Sequence, residues 1–182
     1  PLDSSAASDV YKRQINYLSS YGNSIGVNLV GHHETGGQIQ NYENQLEDAF
    51  KLYNQIGVKN IKTGYVNDVS KNIKKINPEG TVSREWHHGQ YMIDHFQKVI
   101  ETAAKYKLNI IKHEPIKDTG LRRKYPNFIS REGAKGQEFN GFSSNGVNHA
   151  TDLPFTRLLS GPMDYTPGIF QLNNFRYVSC LL

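Results

Sequence analysis

Glu114, Glu132 and Glu138 are strung along one loop-like stretch dense in Gly, Pro and basic residues. It runs His113-Glu114-Pro115-Ile116-Lys117-Asp118-Thr119-Gly120-Leu121-Arg122-Arg123-Lys124-Tyr125-Pro126-Asn127, then Arg131-Glu132-Gly133-Ala134-Lys135-Gly136-Gln137-Glu138. A fourth glutamate, Glu34, closes Gly31-His32-His33-Glu34. Glu34 and Glu114 each follow an apolar run and a histidine, so both can stand at strand exits and reach one cavity. Paired carboxylates facing one cavity suit glycoside hydrolysis: one acid protonates the leaving oxygen while another carboxylate activates water or attacks carbon. Surface glutamates at loop starts are the plain alternative, and spacing alone leaves the two open. Glu114, Glu132 and Glu138 could also bind a hard cation. Calcium takes about six to eight oxygens, of which three carboxylates supply only part. His32-His33 and Trp86-His87-His88 lack transition-metal spacing, because adjacent histidines do not readily ligate one ion. Such histidines more often hydrogen-bond hydroxyls or cap structure. Lys62, also at a strand exit, is either a hydroxyl-binding cation or a solvated lysine.

Three apolar runs precede these reactive residues: Ile25 to Val30, Val58 to Ile61, and Leu108 to Ile111. Between the first two, Leu46, Ala49, Phe50 and Tyr53 recur at i, i+3, i+4 and i+7, which predicts an amphipathic helix over Asn41 to Ile56. Between the second and third, Met92, Phe96, Val99, Ile100 and Ala103 share one face of a helix over Gln90 to Tyr106. Strand, helix, strand, helix, strand is the pattern of βαβ units with parallel strands. The fold class is α/β, and an open doubly wound sheet and a (β/α)8 barrel of the TIM type both fit. Functional residues at three successive strand exits favour the barrel, and no Gly-x-Gly-x-x-Gly follows a strand to support dinucleotide binding. A full barrel needs about 250 residues, so the chain is expected to hold only part of one. The polar insert Asn67 to Arg84 reads as a long loop on the strand-exit side. After Glu138 the chain turns irregular, and Gly161-Pro162-Met163-Asp164 is a turn-rich segment able to approach a ligand.

Both ends are expected to be foreign. Asp9-Val10-Tyr11-Lys12-Arg13-Gln14 is what a common sequencing-library adapter encodes, and Cys180-Leu181-Leu182 is what its reverse complement gives. Residues 1–14 and 180–182 are accordingly set aside as adapter scars, leaving 15–179 as the barrel segment. The single cysteine then falls in a scar, which removes thiolate zinc sites, disulfides and a cysteine nucleophile. The net charge is +4 with no long Lys/Arg run, so nucleic-acid binding has no support. No stretch approaches the ~18 apolar residues of a membrane span.

These blocks resemble glycoside hydrolase family 97. The likeness is carried by Gly31-His32-His33-Glu34-Thr35, Lys62-Thr63-Gly64-Tyr65-Val66, residues 115–123, Tyr125-Pro126-Asn127, Arg131-Glu132-Gly133, Gly136-Gln137-Glu138, and Leu153-Pro154-Phe155-Thr156-Arg157 running into Gly161-Pro162-Met163-Asp164. The resemblance implies an N-terminal β-sandwich, a central (β/α) barrel and a small C-terminal β domain, of which the middle to later part of the barrel is represented. Retaining members, α-galactosidases, carry a nucleophilic aspartate where this chain has Gly64. Inverting members, α-glucosidases, use two glutamates as the base site, and Glu34 and Glu114 match them. Glu138 matches the proton donor. Glu114, Glu132 and Glu138 match ligands of a Ca2+ ion whose further glutamate comes from the N-terminal domain. His32, Lys62 and His113 match positions lining the sugar subsite. The implied activity is release of glucose from starch-derived α-glucooligosaccharides in the periplasm or outside the cell. An α-galactosidase or other α-glycosidase of the same family, and a non-catalytic carbohydrate-binding barrel, are the alternatives; the segment by itself is expected to be inactive.

Overall fold

The computed structural model describes residues 4–66 and 73–166, with the side chains of residues 4–10 left aside. Helix α1 (Ser4–Ser24) leads into β1 (Val30–Glu34), α2 (Ile39–Gln55) and β2 (Asn60–Gly64). A hairpin of β3 (Ile73–Ile76) and β4 (Val82–Glu85) follows, then α3 (Gln90–Lys105), β5 (Asn109–Lys112), α4 (Leu121–Lys124) and β6 (Phe128–Arg131). Short 3-10 turns and the one-turn helix α5 (His149–Asp152) complete the described chain. Strands β1, β2, β5 and β6 make one parallel sheet in that order, with no reversal of direction along the sheet.

The two long helices form where the periodicity predicts them and bury the predicted face. In α3, Met92, Phe96, Val99, Ile100 and Ala103 are all fully buried; in α2, Leu46 and Phe50 are. Both helices end in a left-handed residue one step past the C-cap, Gly57 at φ 81° and Lys107 at φ 56°, which turns the chain toward the next strand. Both pack on the same side of the sheet. Leu46 and Phe50 of α2 and Val99 and Ala103 of α3 share one cluster with Val58, Ile61, Leu108 and Ile110. Fully burying a side chain of this size contributes ~1.5–3 kcal/mol. A second cluster, with Ile39, Tyr65, Ile73, Met92, Phe96 and Ile116, lies toward the strand exits and anchors the hairpin. Gln40 adds a two-point clamp, donating to the Ile76 carbonyl at 2.9 Å and accepting from its amide at 2.7 Å.

Alternation along the strands decides what reaches the other face. Ile61, Thr63, Ile110 and Lys112 point into the helix layer and are buried. The opposite face carries cross-strand rows: Val30 beside Asn60 beside Asn109, then His32 beside Lys62 beside Ile111, then Glu34 beside Gly64. Neither α2 nor α3 packs on this face; it is polar toward the strand exits, and Val30 on it is half exposed.

Three expectations are corrected. The strands begin later than the apolar runs suggest: β1 is Val30–Glu34 itself, so the histidines lie within it and Ile25 to Leu29 form the approach. The insert expected as a loop over 67–84 contains the antiparallel β3–β4 hairpin, while residues 67–72 lie outside the described part. The stretch from His113 to Glu138 is not one loop, because Phe128–Arg131 adds the fourth parallel strand. Four residues with only Phe128 and Ile129 apolar give too weak a signal to read as a strand. No described helix is long and apolar enough to cross a membrane.

The helices are also joined through charge. Glu43 of α2 accepts from His95 at 2.8 Å and from Lys98 at 2.7 Å, both on α3. The His95 hydrogen bond, with help from Lys98 and against the opposing effect of burial, holds Glu43 down from 4.5 to about 2. A carboxyl whose folded pKa is depressed contributes stability that is present above its unfolded pKa and lost as pH falls through the folded one. The urea midpoint of the wild type is therefore expected to fall more steeply than that of Glu43→Gln between about pH 4.5 and 2; parallel profiles would remove the linkage.

Candidate active site

The exit of β2 is flanked in the sheet by the exits of β1 and β5, and these three ends deliver most of the reactive residues. Glu34 is the last residue of β1. Its Oε1 accepts from the backbone amides of Val66 at 2.9 Å and Thr35 at 3.1 Å. Glu114 follows β5, and its Oε2 accepts from the Tyr65 amide at 2.7 Å. Two consecutive amides leaving β2 thus hold one carboxylate each, from opposite sides. Glu114 needs help to stand there. Its φ of 41° is left-handed, a conformation that costs a non-glycine residue ~1–3 kcal/mol. The ring of His87 donates through Nε2 to the Glu114 carbonyl at 2.6 Å and fixes that turn.

Gly64 is the reason the Glu34 carboxylate can sit where it does. A Cβ built on Gly64 would run into Glu34 Oε2, with Glu34 Cδ at 3.1 Å and His32 Nε2 at 3.2 Å. The carboxylate occupies the space that any side chain at position 64 needs, and a carboxylate at 64 would evict it. The φ of Gly64 is not left-handed, so what glycine supplies here is the space that the Glu34 carboxylate fills, rather than backbone freedom.

A second group of charges lies beyond β5 and β6. His113, Glu132 and Glu138 each offer one ligand atom, all within 4.8 Å of one another. Glu132 follows β6, where its amide bonds to the Lys112 carbonyl at 2.8 Å. Glu138 is on the exposed 3-10 turn Gln137–Gly141. Burial, and then the neighbouring Glu114 and Glu138 charges, raise the pKa of Glu132 against the pull of His113. Three carboxylates therefore converge closely enough to repel, which is the electrostatic condition a bound cation relieves. Of the three glutamates expected at a cation, Glu132 and Glu138 are brought into this close group. The third member of the close group is His113, expected at the sugar subsite, whereas the Glu114 carboxylate is turned to the Tyr65 amide.

The subsite residues are drawn together by one that sequence reasoning left out of the set. Asp164 accepts from His113 Nε2 at 2.6 Å and pairs with Lys62 Nζ at 3.5 Å, while the Thr166 amide holds its second oxygen at 3.0 Å. Burial works to raise its pKa, but the His113 hydrogen bond, the Thr166 amide and Lys62 together bring it below the ordinary value. The turn-rich composition of 161–164 and its place in a family-like block are its signals in the sequence. Arg157 stitches that segment to the sheet, donating to the carbonyls of Arg131, Glu132 and Gly161 at 2.8, 2.9 and 3.0 Å. His32 stands beside Lys62 in the same cross-strand row. His33 points the other way, against Tyr42 with its ring near Phe50 and Tyr53. Burial, then the adjacent His32, lowers its pKa to about 4, so it stays a neutral packing residue.

The sequence pattern of the Glycoside hydrolase 97 family matches residues 3–134. The fold superposes at TM-score 0.79 on two structures of a glycoside hydrolase family 97 enzyme from Pseudoalteromonas sp. strain K8. One is a variant in complex with panose, 52% identical; the other is in complex with acarbose, 53% identical. Each match covers 87% of this chain and 24% of the other. Among curated proteins, a retaining alpha-galactosidase of Bacteroides thetaiotaomicron is 29% identical over 164 residues, which are 88% of this chain and 20% of that protein. The chain thus spans about a fifth to a quarter of the length of these relatives.

A crystal structure of Gly64→Ala is expected to show the Glu34 carboxylate displaced from the Val66 amide. A carboxylate still bonded to that amide would refute the steric argument.

Proposed function

The chain belongs to glycoside hydrolase family 97, and from that premise we propose that it is the core of a calcium-dependent, inverting α-glucosidase acting on starch-derived oligosaccharides. The observation that carries the reading is the side-chain-free end of β2 with Glu34 packed into the vacancy. A retaining mechanism needs a carboxylate to attack the anomeric carbon, and in the retaining branch that carboxylate resembles position 64. Here the position is glycine, and adding a carboxylate would collide with Glu34. Single displacement by water needs instead a base that holds the water on that face. Glu34 and Glu114, flanking the exit of β2, are the base pair. Glu138 is the proton donor to the glycosidic oxygen. Its exposure fits a group that must meet the leaving oxygen of an entering substrate. Lys62, His113 and Asp164, with His32 beside them, offer donors and acceptors for sugar hydroxyls. The similarity to a relative crystallised with panose, a trisaccharide of α-linked glucose, supports the glucose class.

Calcium is the cation proposed for the carboxylate cluster, held by Glu114, Glu132 and Glu138. The convergence of these charges on Glu132 fits a cation, and the hard oxygen donors fit calcium. When bound, the ion supplies charge that fixes the carboxylates and orients substrate hydroxyls. His113, close to Glu132 and Glu138, is better suited to the substrate side, because its Nε2 is already committed to Asp164. A domain preceding the barrel is proposed to complete the shell. The unreversed parallel order, with both helices on one face, supports a segment of a (β/α)8 barrel whose interior is the polar uncovered face. A periodic extension of the sheet would enclose that face, and a periplasmic or secreted location is proposed with it.

The second reading, an α-galactosidase, draws on the curated relative. It keeps the same carboxylates with a different fit around the glycone hydroxyls. Proton NMR of the sugar first released from p-nitrophenyl α-glucoside decides the stereochemistry, using a protein that carries this segment within a complete barrel. β-Glucose is expected early and is expected to vanish with chelator; α-glucose would sink inversion, and binding without turnover would move the protein to the carbohydrate-binding class. Glu138→Gln is expected to lower kcat on maltose by ~10²–10⁴-fold. The loss on p-nitrophenyl α-glucoside should be far smaller, since nitrophenolate leaves without a proton. Equal losses on both substrates would remove Glu138 as the acid.

A further inference from the structure

We infer that a buried chain of side chains, Glu43–His95–Tyr65, positions both base carboxylates at once, with His95 and Tyr65 as positioning residues. The inference rests on the proposed function for what Glu34 and Glu114 do, but its geometry stands apart from it. Tyr65 is the first residue after β2 and is fully buried. Its amide donates to Glu114 and the next amide, of Val66, donates to Glu34. A shift of this one residue therefore moves the hydrogen-bond donors of both carboxylates together.

Three contacts hold the Tyr65 side chain against such a shift. Its hydroxyl meets His95 Nε2 at 2.9 Å. Its ring packs edge-on against Phe96, with centroids 4.9 Å apart. It also meets edge-on, at 6.3 Å, the ring of His87, whose Nε2 holds the Glu114 carbonyl. His95 is itself fixed from the far side, since Nδ1 faces Glu43 Oε1 at 2.8 Å. The Glu43 carboxylate is held ionised well below neutral pH and can only accept, so His95 carries its proton on Nδ1. Burial lowers the His95 pKa against the opposing pull of Glu43. The neutral ring then presents a bare Nε2, and the Tyr65 hydroxyl donates to it. Every member has one role and one orientation, which lets the chain act as a strut from α2 through α3 to the end of β2.

Packing alone does not require this strut. A phenylalanine at 65 keeps the ring and its aromatic contacts and removes the hydroxyl that meets His95. That makes Tyr65→Phe the informative variant, with Glu43→Gln as a second that alters the chain at its outer, partly exposed end.

The test is amide hydrogen exchange by NMR on the full chain. In Tyr65→Phe the Tyr65 and Val66 amides are expected to exchange ~3–10-fold faster, the ratio that loss of one buried hydrogen bond brings. Glu43→Gln should change the same two amides in the same direction and by less. The His113 and Asn109 amides, bonded to the Thr63 and Lys59 carbonyls at 2.8 Å each, serve as controls within the same sheet. Unchanged exchange at 65 and 66 in both variants, or a rise matched by the controls, would overturn the inference. In the hydrolysis assay Tyr65→Phe is expected to lower kcat with KM held within about twofold, as loss of base positioning predicts. Absence of hydrolysis in the wild type would count against the glucosidase reading alone, because the exchange measurement reads the strut without it.

Discussion

The approach of the Glu34 carboxylate to the end of β2 is the contact on which the rest of the site depends. Parallel pairing places β1 and β5 on either side of β2, so the carboxylates that follow those strands converge on its exit. There they find two consecutive amides and no side chain in the way. Backbone donors suit this task because they are fixed by the sheet and bring no net charge of their own. They hold each carboxylate by one oxygen. A side chain at position 64 would break the arrangement by volume alone, whatever its chemistry.

The second charged group is built differently. His113, Glu132 and Glu138 meet where β5 and β6 end, and the last of them comes from an irregular segment. That segment is held by the Tyr165 and Thr166 carbonyls, and the 161–164 turn before them is pinned by Arg157, whose planar guanidinium reaches four carbonyls. Arginine suits this work because its donors are rigidly spaced. The result is that Asp164, far along the chain, lies against His113 and Lys62. Like charges are concentrated on Glu132 at the same time as Lys62 and the His113 ring are drawn toward Asp164. The site is therefore polarised, with a carboxylate side suited to a hard cation and a mixed side suited to hydroxyls.

Behind both groups the helix layer is mostly apolar, yet polar groups cross it. Lys112, buried between the rings of Phe96 and Phe128 at 4.1 and 4.7 Å, has its pKa lowered to about 7 by burial and then by the charge of Arg131. His95 and Glu43 cross between α2 and α3. Such groups are costly to bury unless paired, and each here has an ionic, aromatic or hydrogen-bonded partner. They tie the layer to the strand exits, which a purely apolar interface does not do.

The sequence by itself determined the two long helices and the α/β class. Helical periodicity and residue type are local properties, and Met92, Phe96, Val99, Ile100 and Ala103 could only form one face. It also carried the family, through blocks such as Gly31-His32-His33-Glu34 and Gly161-Pro162-Met163-Asp164. It did not locate the fourth strand, because Phe128–Arg131 is held by pairing with β5 and by Arg131 contacts rather than by its own pattern. It did not show the hairpin, whose Ile73 is buried only because it meets Ile39 and Met92. Nor could it assign Asp164, Tyr65 or Arg157 to the site, since each acts through a partner distant in the chain. Which carboxylate faces which amide, and what fills the space beside residue 64, are questions of distance between strands, and only the folded sheet sets those distances.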